Sequence, residues 1–475
     1  MKLPVTIGDV VDVLACQILP EKPEGLSDLT RYRRVTAVSS DSRNIHSGNL
    51  FVAIKGDSFD GHDFVASALS TGAAAALVSA DWAKTNGTDF DSFSILIVVE
   101  DVLESLQDLA IWYRSQLDTE VIGITGSSGK TTTKDMTAAI LSTRYNILKT
   151  PGNLNSQLGL PQVLFQLDRI HDMAVLELGM NHAGEIARLT EIARPSLGVI
   201  TNVGPVHLEH LRSIEGVASA KGELLDYLGE PDTAVLNADD SYVMSQRPRT
   251  PARLVTFGRN ENANVRAKEV ESTFTGSVFS LEDGTEFQVN IPGEHQVMNA
   301  LAAIAVGQSF DVNHSDMQAA LAEMKAPAMR MEVRSMGNVT CLNDAYNANP
   351  ISMRAALRTL ESYPLPGRRI AVLGDMLELG DSSAQVHHEL GIDAGRTADI
   401  LVTVGDRAED IAAGARSGEI TPEAIFVCEN NEEAWFYLRD SIQDGDVVLI
   451  KGSRGMHMED IVASMEALID GTHVS

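Results

Sequence analysis

Cysteine is scarce. Cys16, Cys341 and Cys428 stand far apart among 475 residues and form no C-x-x-C pair, which argues against a disulfide framework and against a thiolate zinc site. Aromatic residues are only 5% of the chain, whereas hydrophobic residues make up 44%. That balance suits helices stacked on sheets better than an aromatic-rich β-sandwich, so mixed α/β is the expected class. Positive charge is also short: 37 Lys and Arg face 66 Asp and Glu, for a formal net charge of -29. A nucleic-acid backbone is bound by cations that neutralise phosphates, so no nucleic-acid partner is expected. There is no apolar run of ~18 residues, the length a membrane span needs. Asp9 and Asp12 interrupt the N-terminal apolar stretch. Neither membrane insertion nor a signal peptide is expected, and the cytoplasm is the expected location.

The length implies two or three domains of ~100–200 residues each. Three zones separate by pattern. Residues 1–115 alternate short apolar runs (Arg34 to Val38, Asn49 to Ile54, Ser94 to Val99) with helical stretches such as Phe64 to Ser70, which reads as a small α/β domain. Residues 116–312 open with an apolar strand, a glycine-rich loop and a helical run. They continue with apolar runs at Met173 to Leu178 and Leu197 to Thr201 and helical patterns at Glu185 to Ile192 and Ile214 to Leu228. This is the rhythm of a mainly parallel sheet, with a β-rich stretch at 262–291. Residues 313–475 carry five apolar runs, at Thr340 to Leu342, Arg369 to Leu373, Ile400 to Val404, Ala424 to Val427 and Val447 to Ile450. Helical segments lie between them, as in a Rossmann-like, doubly wound sheet that binds ligands beyond its strand ends.

The sharpest motif follows the strand at Glu120: Gly123-Ile-Thr-Gly126-Ser127-Ser128-Gly129-Lys130-Thr131-Thr132-Thr133. Glycines let backbone N–H groups converge on phosphate oxygens, and the helix N-terminus adds partial positive charge. Lys130 supplies a point charge and the Thr131 hydroxyl can reach magnesium. Ile124 stands where the strict Walker pattern has glycine. A magnesium nucleotide also needs a carboxylate at the end of a neighbouring buried strand, and Glu177, closing Ala174-Val-Leu-Glu, fits that need. Asp375, closing Ile370 to Gly374, has no P-loop in its zone and is left structural or unassigned. His207 and His210 form an i, i+3 pair in a loop expected to face ligand. Without a third ligand, zinc is disfavoured, and either His207 alone is functional or neither is. By periodicity Lys221 reads as an exposed helix lysine.

Taken together, the P-loop, Glu177, His207 and Lys221 resemble the central ATPase domain of the Mur ligase family, and further segments extend the resemblance over nearly the whole chain. Ser40-Asp41-Ser42-Arg43, Gly48 to Gly56 and Asp60-Gly-His resemble the family's N-terminal domain, implying that it holds the uridine nucleotide of a cell-wall precursor. Gly152 to Pro161, with Asn153, Asn155, Ser156 and Gln157, and Glu177 to His182, with Asn181, resemble its substrate-facing loops. Asp344-Ala-Tyr346-Asn347-Ala-Asn-Pro350, Gly374 to Gly380 and Lys451-Gly-Ser453-Arg-Gly455 resemble the branch that adds D-alanyl-D-alanine, and the Asp-Asn-Pro-Arg motif of the diamino-acid branch is absent.

The resemblance implies an ATP-dependent amide ligase acting on UDP-N-acetylmuramoyl-tripeptide and D-alanyl-D-alanine, working as a monomer. It implies that Lys130 and Thr131 hold the ATP phosphates and a first magnesium ion with Glu177, and that His207 and a carbamylated Lys221 serve a second. Asn237 and Asn299 become contacts on the adenine side, Arg330 a phosphate clamp and Asp344 a ribose contact. Tyr346, Asn347, Ser453 and Asn181 become dipeptide-side contacts. Gln296 stands where many relatives have Asn. Such chemistry makes an acyl phosphate first, because a carboxylate attacked by an amine would otherwise have to expel oxide. Closure of three domains on one site is the expected way to align the groups and exclude water. Two rivals remain: a superfamily ligase with a different incoming amine, and a nucleotide-binding or regulated NTPase module that forms no amide.

Overall fold

The apolar runs form three large sheets and one two-stranded pair in a computed structural model. It describes residues 3–19, 28–56, 59–87, 90, 94–364, 367–418 and 420–469. The first sheet has the strand order Gln17–Leu19, Leu96–Val99, Ala75–Ser79, Asn49–Val52, Ala37–Ser39, parallel except at the Gln17–Leu19 edge. The run Arg34 to Val38 does not stay one strand: Arg34–Val35 pairs antiparallel with Val5–Thr6, and Ala37–Ser39 joins the five-stranded sheet. Ala75–Ser79 was not anticipated, because an alanine-rich segment has weak β propensity. Its place mid-sheet is a packing effect, with Ala75, Ala76, Leu77 and Val78 fully buried.

The second sheet has nine strands. Six run parallel in the order Arg253–Gly258, Thr233–Asn237, Leu197–Ile200, Glu120–Thr125, Met173–Glu177, Ile147–Lys149. The β-rich stretch adds Val265–Thr273, parallel to its neighbour, and then Gly276–Leu281 and Glu286–Val289 as an antiparallel extension. Helices Lys130–Ser142 and His295–Ser309 cover one face through residues such as Met136, Ile140, Val297 and Ile304. Glu185–Ala193 and Ile214–Tyr227, both anticipated, cover the other with Val102–Ser115.

The third sheet, in the order Glu332–Met336, Val339–Asn343, Val447–Lys451, Arg369–Gly374, Ile400–Val404, Ile425–Cys428, contains the five anticipated strands in parallel. A sixth, Glu332–Met336, pairs antiparallel at the edge. Its alternation of Glu332 and Arg334 with Val333 and Ser335 carries too little apolar signal to separate an edge strand from a polar loop. Helices lie on both faces, with an apolar cluster on each. No helix among the described residues is long and apolar enough to cross a membrane.

One apolar cluster runs without a break from the first unit into the second, including Val10, Tyr113, Phe165 and Leu189. Tyr113 is its polar staple: the buried phenol accepts a hydrogen bond from the Leu3 N–H (3.1 Å) and donates one to the Leu167 carbonyl (2.8 Å). Tyr113→Phe leaves both groups buried and unpaired, which costs about 1–3 kcal/mol. The expected outcome is a lower urea midpoint with an unchanged slope for the variant.

Candidate functional site

Adjacent parallel strands place the site at their carboxyl ends. Glu177 lies beside Ile124 and Ile200 beside Thr125, so the loops after these strands meet on one rim. The loop after Thr125 turns into the helix Lys130–Ser142 through Gly129, whose φ is +78°. A Cβ there would lie 2.2 Å from Asn299 Oδ1, and one at Gly126 would lie 1.8 Å from Thr201 Oγ1. Only glycine allows both approaches. Asn202 holds the loop: its carbonyl accepts from the Ser127 N–H (2.9 Å), its Oδ1 from the Ser128 N–H (2.9 Å), and its Nδ2 donates to the Ser128 carbonyl (3.0 Å). No side chain caps the helix, which leaves first-turn N–H groups of Gly129 to Thr132 for an anion.

The Lys130 ammonium donates to the Gly126 carbonyl (2.8 Å). Burial pulls its pKa below the ordinary value, Glu177 opposes that, and Arg330 adds to it. Glu177 is buried and fully engaged: one oxygen accepts from Thr131 Oγ1 (2.8 Å), the other from Asn155 Nδ2 (2.7 Å). Behind the loop, Thr133 Oγ1 donates to Asn299 Oδ1 (3.3 Å), and Asn299 Nδ2 donates to Gln296 Oε1 (2.8 Å).

Lys221 departs from the solvated helix lysine that periodicity describes. It is 2% exposed and has no hydrogen-bond or ion-pair partner among the described residues. Burial first, and the charge of Lys130 second, hold its pKa well below the ordinary lysine value. His207 sits in a left-handed conformation (φ +53°), with its Nδ1 paired to the Glu378 carboxylate. His210 stacks on His182 instead, with ring centroids 4.2 Å apart. Among the described residues no three His, Cys, Asp or Glu are placed to hold a metal. The Thr131 and Glu177 oxygens nevertheless suit magnesium, which takes most of its remaining ligands from phosphates and water.

The third sheet contributes the opposite wall. Arg330 lies over the Tyr346 ring, 3.9 Å from its centroid, with Arg454 on the same ring at 5.9 Å. Asp344 accepts from the Met331 N–H (2.9 Å) and pairs with buried Lys451 (2.6 Å). Lys451 also donates to the Asn347 carbonyl (2.8 Å). Ser453 Oγ accepts from the Leu377 N–H (2.9 Å). Asp375 has a structural role, accepting from the Asp406 and Arg407 N–H groups, and burial raises its pKa.

Most of these groups line one cavity of about 900 Å³, whereas Lys221 and Asp375 are not among its lining residues. Ser127 to Thr132, Glu177, His207, Asn299, Arg330 and Asp344 border it, as do Asn153, Asn155, Ser156, Gln157, Asn181, Tyr346, Asn347 and Ser453. Asn237 does not: its Nδ2 donates to the Thr201 carbonyl (2.8 Å) and its Oδ1 accepts from the Asp239 N–H (2.9 Å), so the amide braces two strand ends. Ser40 to Arg43 also lie off the cavity. Ser40 Oγ accepts from Gln162 Nε2 (3.3 Å), Ser42 opens a short 3-10 turn, and Asp41 pairs with Arg43, which with the Arg43 N–H holds its carboxyl down to about 2. Among the ionisable lining residues, Glu185, His295, Glu378, Lys451 and Arg454 carry no site role in the sequence reading. Glu378, Lys451 and Arg454 lie inside motifs already singled out, and only tertiary folding shows which member of a motif borders the cavity.

Three family models match the chain: "Mur ligase family, catalytic domain" over residues 34–111, "Mur ligase middle domain" over 124–307, and "Mur ligase, glutamate ligase domain" over 329–454. A Bacillus subtilis (strain 168) protein named UDP-N-acetylmuramoyl-tripeptide--D-alanyl-D-alanine ligase is 36% identical over 435 residues, covering 91% of this chain and 93% of its own. The Escherichia coli (strain K12) protein of the same name is 36% identical over 478 residues, covering 97% and 98%. Among solved structures, MurF from Acinetobacter baumannii superposes with a TM-score of 0.86 at 32% identity, covering 98% and 99%. MurF ligase from Thermotoga maritima in complex with ADP gives 0.80 at 29% identity, covering 94% and 100%.

The cavity wall carries its own pH dependence. Burial pulls His295 down to about 4 from an ordinary 6.5, with Asp344 opposing and Lys451 and Arg358 assisting. Because the folded form resists protonation, the unfolded chain binds the proton first as pH falls. The stabilisation is therefore complete above the ordinary value and is lost as pH drops through about 6.5 towards 4. Between pH 7 and pH 5, His295→Gln is expected to remove about 1–2 kcal/mol of the fall in stability, read by urea unfolding at both values.

Proposed function

The chain belongs to the Mur ligase family, and from that premise we propose that it joins D-alanyl-D-alanine to UDP-N-acetylmuramoyl-tripeptide, converting ATP to ADP and phosphate. The observation that carries this reading is the single cavity in which Lys130, Glu177 and His207 of the second unit face Arg330 and Tyr346 of the third. The tripeptide carboxylate attacks the γ-phosphorus, the bond to the ADP oxygen breaks, and an acyl phosphate forms. The free amine of the dipeptide then attacks the acyl carbon, phosphate leaves, and the amine gives up a proton. Lys130 and the uncapped helix N-terminus hold the nucleotide phosphates on one side, and Arg330, placed over the Tyr346 ring, meets them from the other. We assign the divisions of the chain to residues 1–115, 116–312 and 313–475, and a monomer as the working form, since one chain supplies every group used here.

Magnesium, where bound, neutralises charge building on the phosphoryl oxygens. Thr131 with Glu177 would hold one ion, and His207 with Lys221 would serve a second. Lys221 suits conversion to a carbamate. Burial lowers the pKa of this lysine well below the ordinary value, which favours the free, nucleophilic amine that adds carbon dioxide and loses a proton. The product is an oxygen ligand in place of a cation. Protein equilibrated with 13C-bicarbonate is expected to show one carbamate carbon signal that Lys221→Arg lacks; an unlabelled Lys221 would remove this assignment.

The ligase reading is tested by phosphate release with ATP, magnesium and UDP-N-acetylmuramoyl-tripeptide, with and without D-alanyl-D-alanine, together with mass detection of product. Release that depends on the dipeptide and yields the pentapeptide is the expected result, and Lys130→Met is expected to lower it by at least about 100-fold. Release without amide would make the protein an NTPase, and product with a different amine only would move it to another branch of the family.

A further inference from the structure

The third unit meets the second at two places beside the nucleotide loop. At one, Asn349, the N-cap of the helix Pro350–Glu361, donates from Nδ2 to the Ser127 carbonyl (3.3 Å). The Ile351 side chain fills the space that a side chain at Gly204 would need, since a Cβ there would lie 2.0 Å from Ile351 Cδ1. At the other, the segment Leu377–Gly380 abuts the short helix Leu208–Leu211. The Glu209 N–H donates to the Glu378 carbonyl (3.4 Å), a Cβ at Gly380 would approach Glu209 Cα to 3.3 Å, and the Glu378 carboxylate pairs with His207 Nδ1. Both members of this pair are non-glycine residues in the left-handed region, His207 at φ +53° and Glu378 at φ +64°. Such conformations persist where surrounding contacts over-determine them, and they cluster at functional sites.

We propose that Glu378 is a positioning residue that fixes the His207 ring only when the third unit is docked. An imidazole has two distinct nitrogens, and a hydrogen bond to one decides the tautomer and aims the other. Here Nδ1 is paired with the Glu378 carboxylate, and because an ionised carboxylate only accepts, the pair calls for the Nδ1–H tautomer. The ring borders the cavity, and Nε2 has no partner among the described residues. The second unit therefore carries the histidine, and the third unit carries the group that orients it. With the units apart, the Glu378 carboxylate is withdrawn from the ring; with them together, the ring is held through Nδ1 at the cavity wall and Nε2 is left as its lone-pair donor. This couples docking to completion of the site, and it rests on the ligase reading only for what the aimed nitrogen then serves.

The test uses the full chain with 15N-labelled histidine, the His207 signals being assigned by loss in His207→Gln. Without nucleotide, wild type is expected to show His207 as the Nδ1–H tautomer, Glu378→Ala to lose that signature, and Glu378→Gln, whose amide oxygen still accepts from Nδ1–H, to keep it. With substrates, kcat is expected to fall about 10–100-fold in Glu378→Ala with the KM for ATP changed less than about threefold, and Glu378→Gln is expected to recover most of kcat. A wild-type spectrum without the signature, an alanine variant that retains it, or a glutamine variant as impaired as the alanine one would overturn the proposal. The nitrogen signature needs no turnover, so a chain that shows it without forming amide would sink the ligase reading while leaving the His207–Glu378 pair in place.

Discussion

A triphosphate and a carboxylate are both anions, and this chain must bring them to bonding distance while carrying a net charge of -29. Long-range attraction cannot help, because the overall field repels both. What remains is short-range and local: backbone N–H groups at an uncapped helix start, an ammonium anchored on the loop it serves, and a guanidinium stacked on an aromatic ring. Burial makes each of these stronger, since the same charges are worth more where water is excluded. Burial also explains the lowered pKa of Lys130: a desolvated cation with the Arg330 charge nearby, opposed by Glu177, is stabilised best by the anion it is there to receive.

The sheets turn that constraint into geometry. Parallel pairing in register delivers Glu177 and the loops after Thr125 and Ile200 to one rim, and short polar bonds rather than packing then set the loop, with Asn202 holding both Ser127 and Ser128. The third unit brings Arg330 through a different device. Met329 and Met331 flank it in left-handed conformations, and the Met331 N–H is tied to Asp344, which is itself tied to buried Lys451. Asp344 thus anchors the segment that presents Arg330, whatever it contacts in the nucleotide.

Signals carried by consecutive residues were legible in the sequence. The nucleotide loop, the strand ending at Glu177, and the five parallel strands of the third sheet each show as a local pattern with a physical cause. Elements whose identity comes from tertiary contact were not legible. Ala75–Ser79 is a strand because it is enclosed mid-sheet, and Glu332–Met336 is one because a hairpin pairs it to an existing edge. The same division holds at the site. Periodicity alone makes Lys221 a surface lysine, and only the resemblance placed it at the site, whereas its helix buries it against the sheet; Glu378 has no meaning without His207, 171 residues away in sequence. Asn237 shows the opposite case, a residue placed by resemblance whose amide is spent inside the protein.

The distribution of apolar clusters has a thermodynamic consequence. The first two units share a continuous core, whereas the two clusters of the third contain only its own residues. Its contacts to the second unit include the Asn349 and Glu378 hydrogen bonds, Ile351 against Gly204, Gly380 against Glu209, and the Phe274 and Tyr363 rings, without an apolar cluster that spans the two. Cooperativity in unfolding follows shared burial. The chain is therefore two cooperative blocks rather than three or one, the larger joining the first two sheets and the smaller standing alone. Each block has its own unfolding free energy, and the block that can come away without opening a shared apolar cluster is the one that carries Arg330.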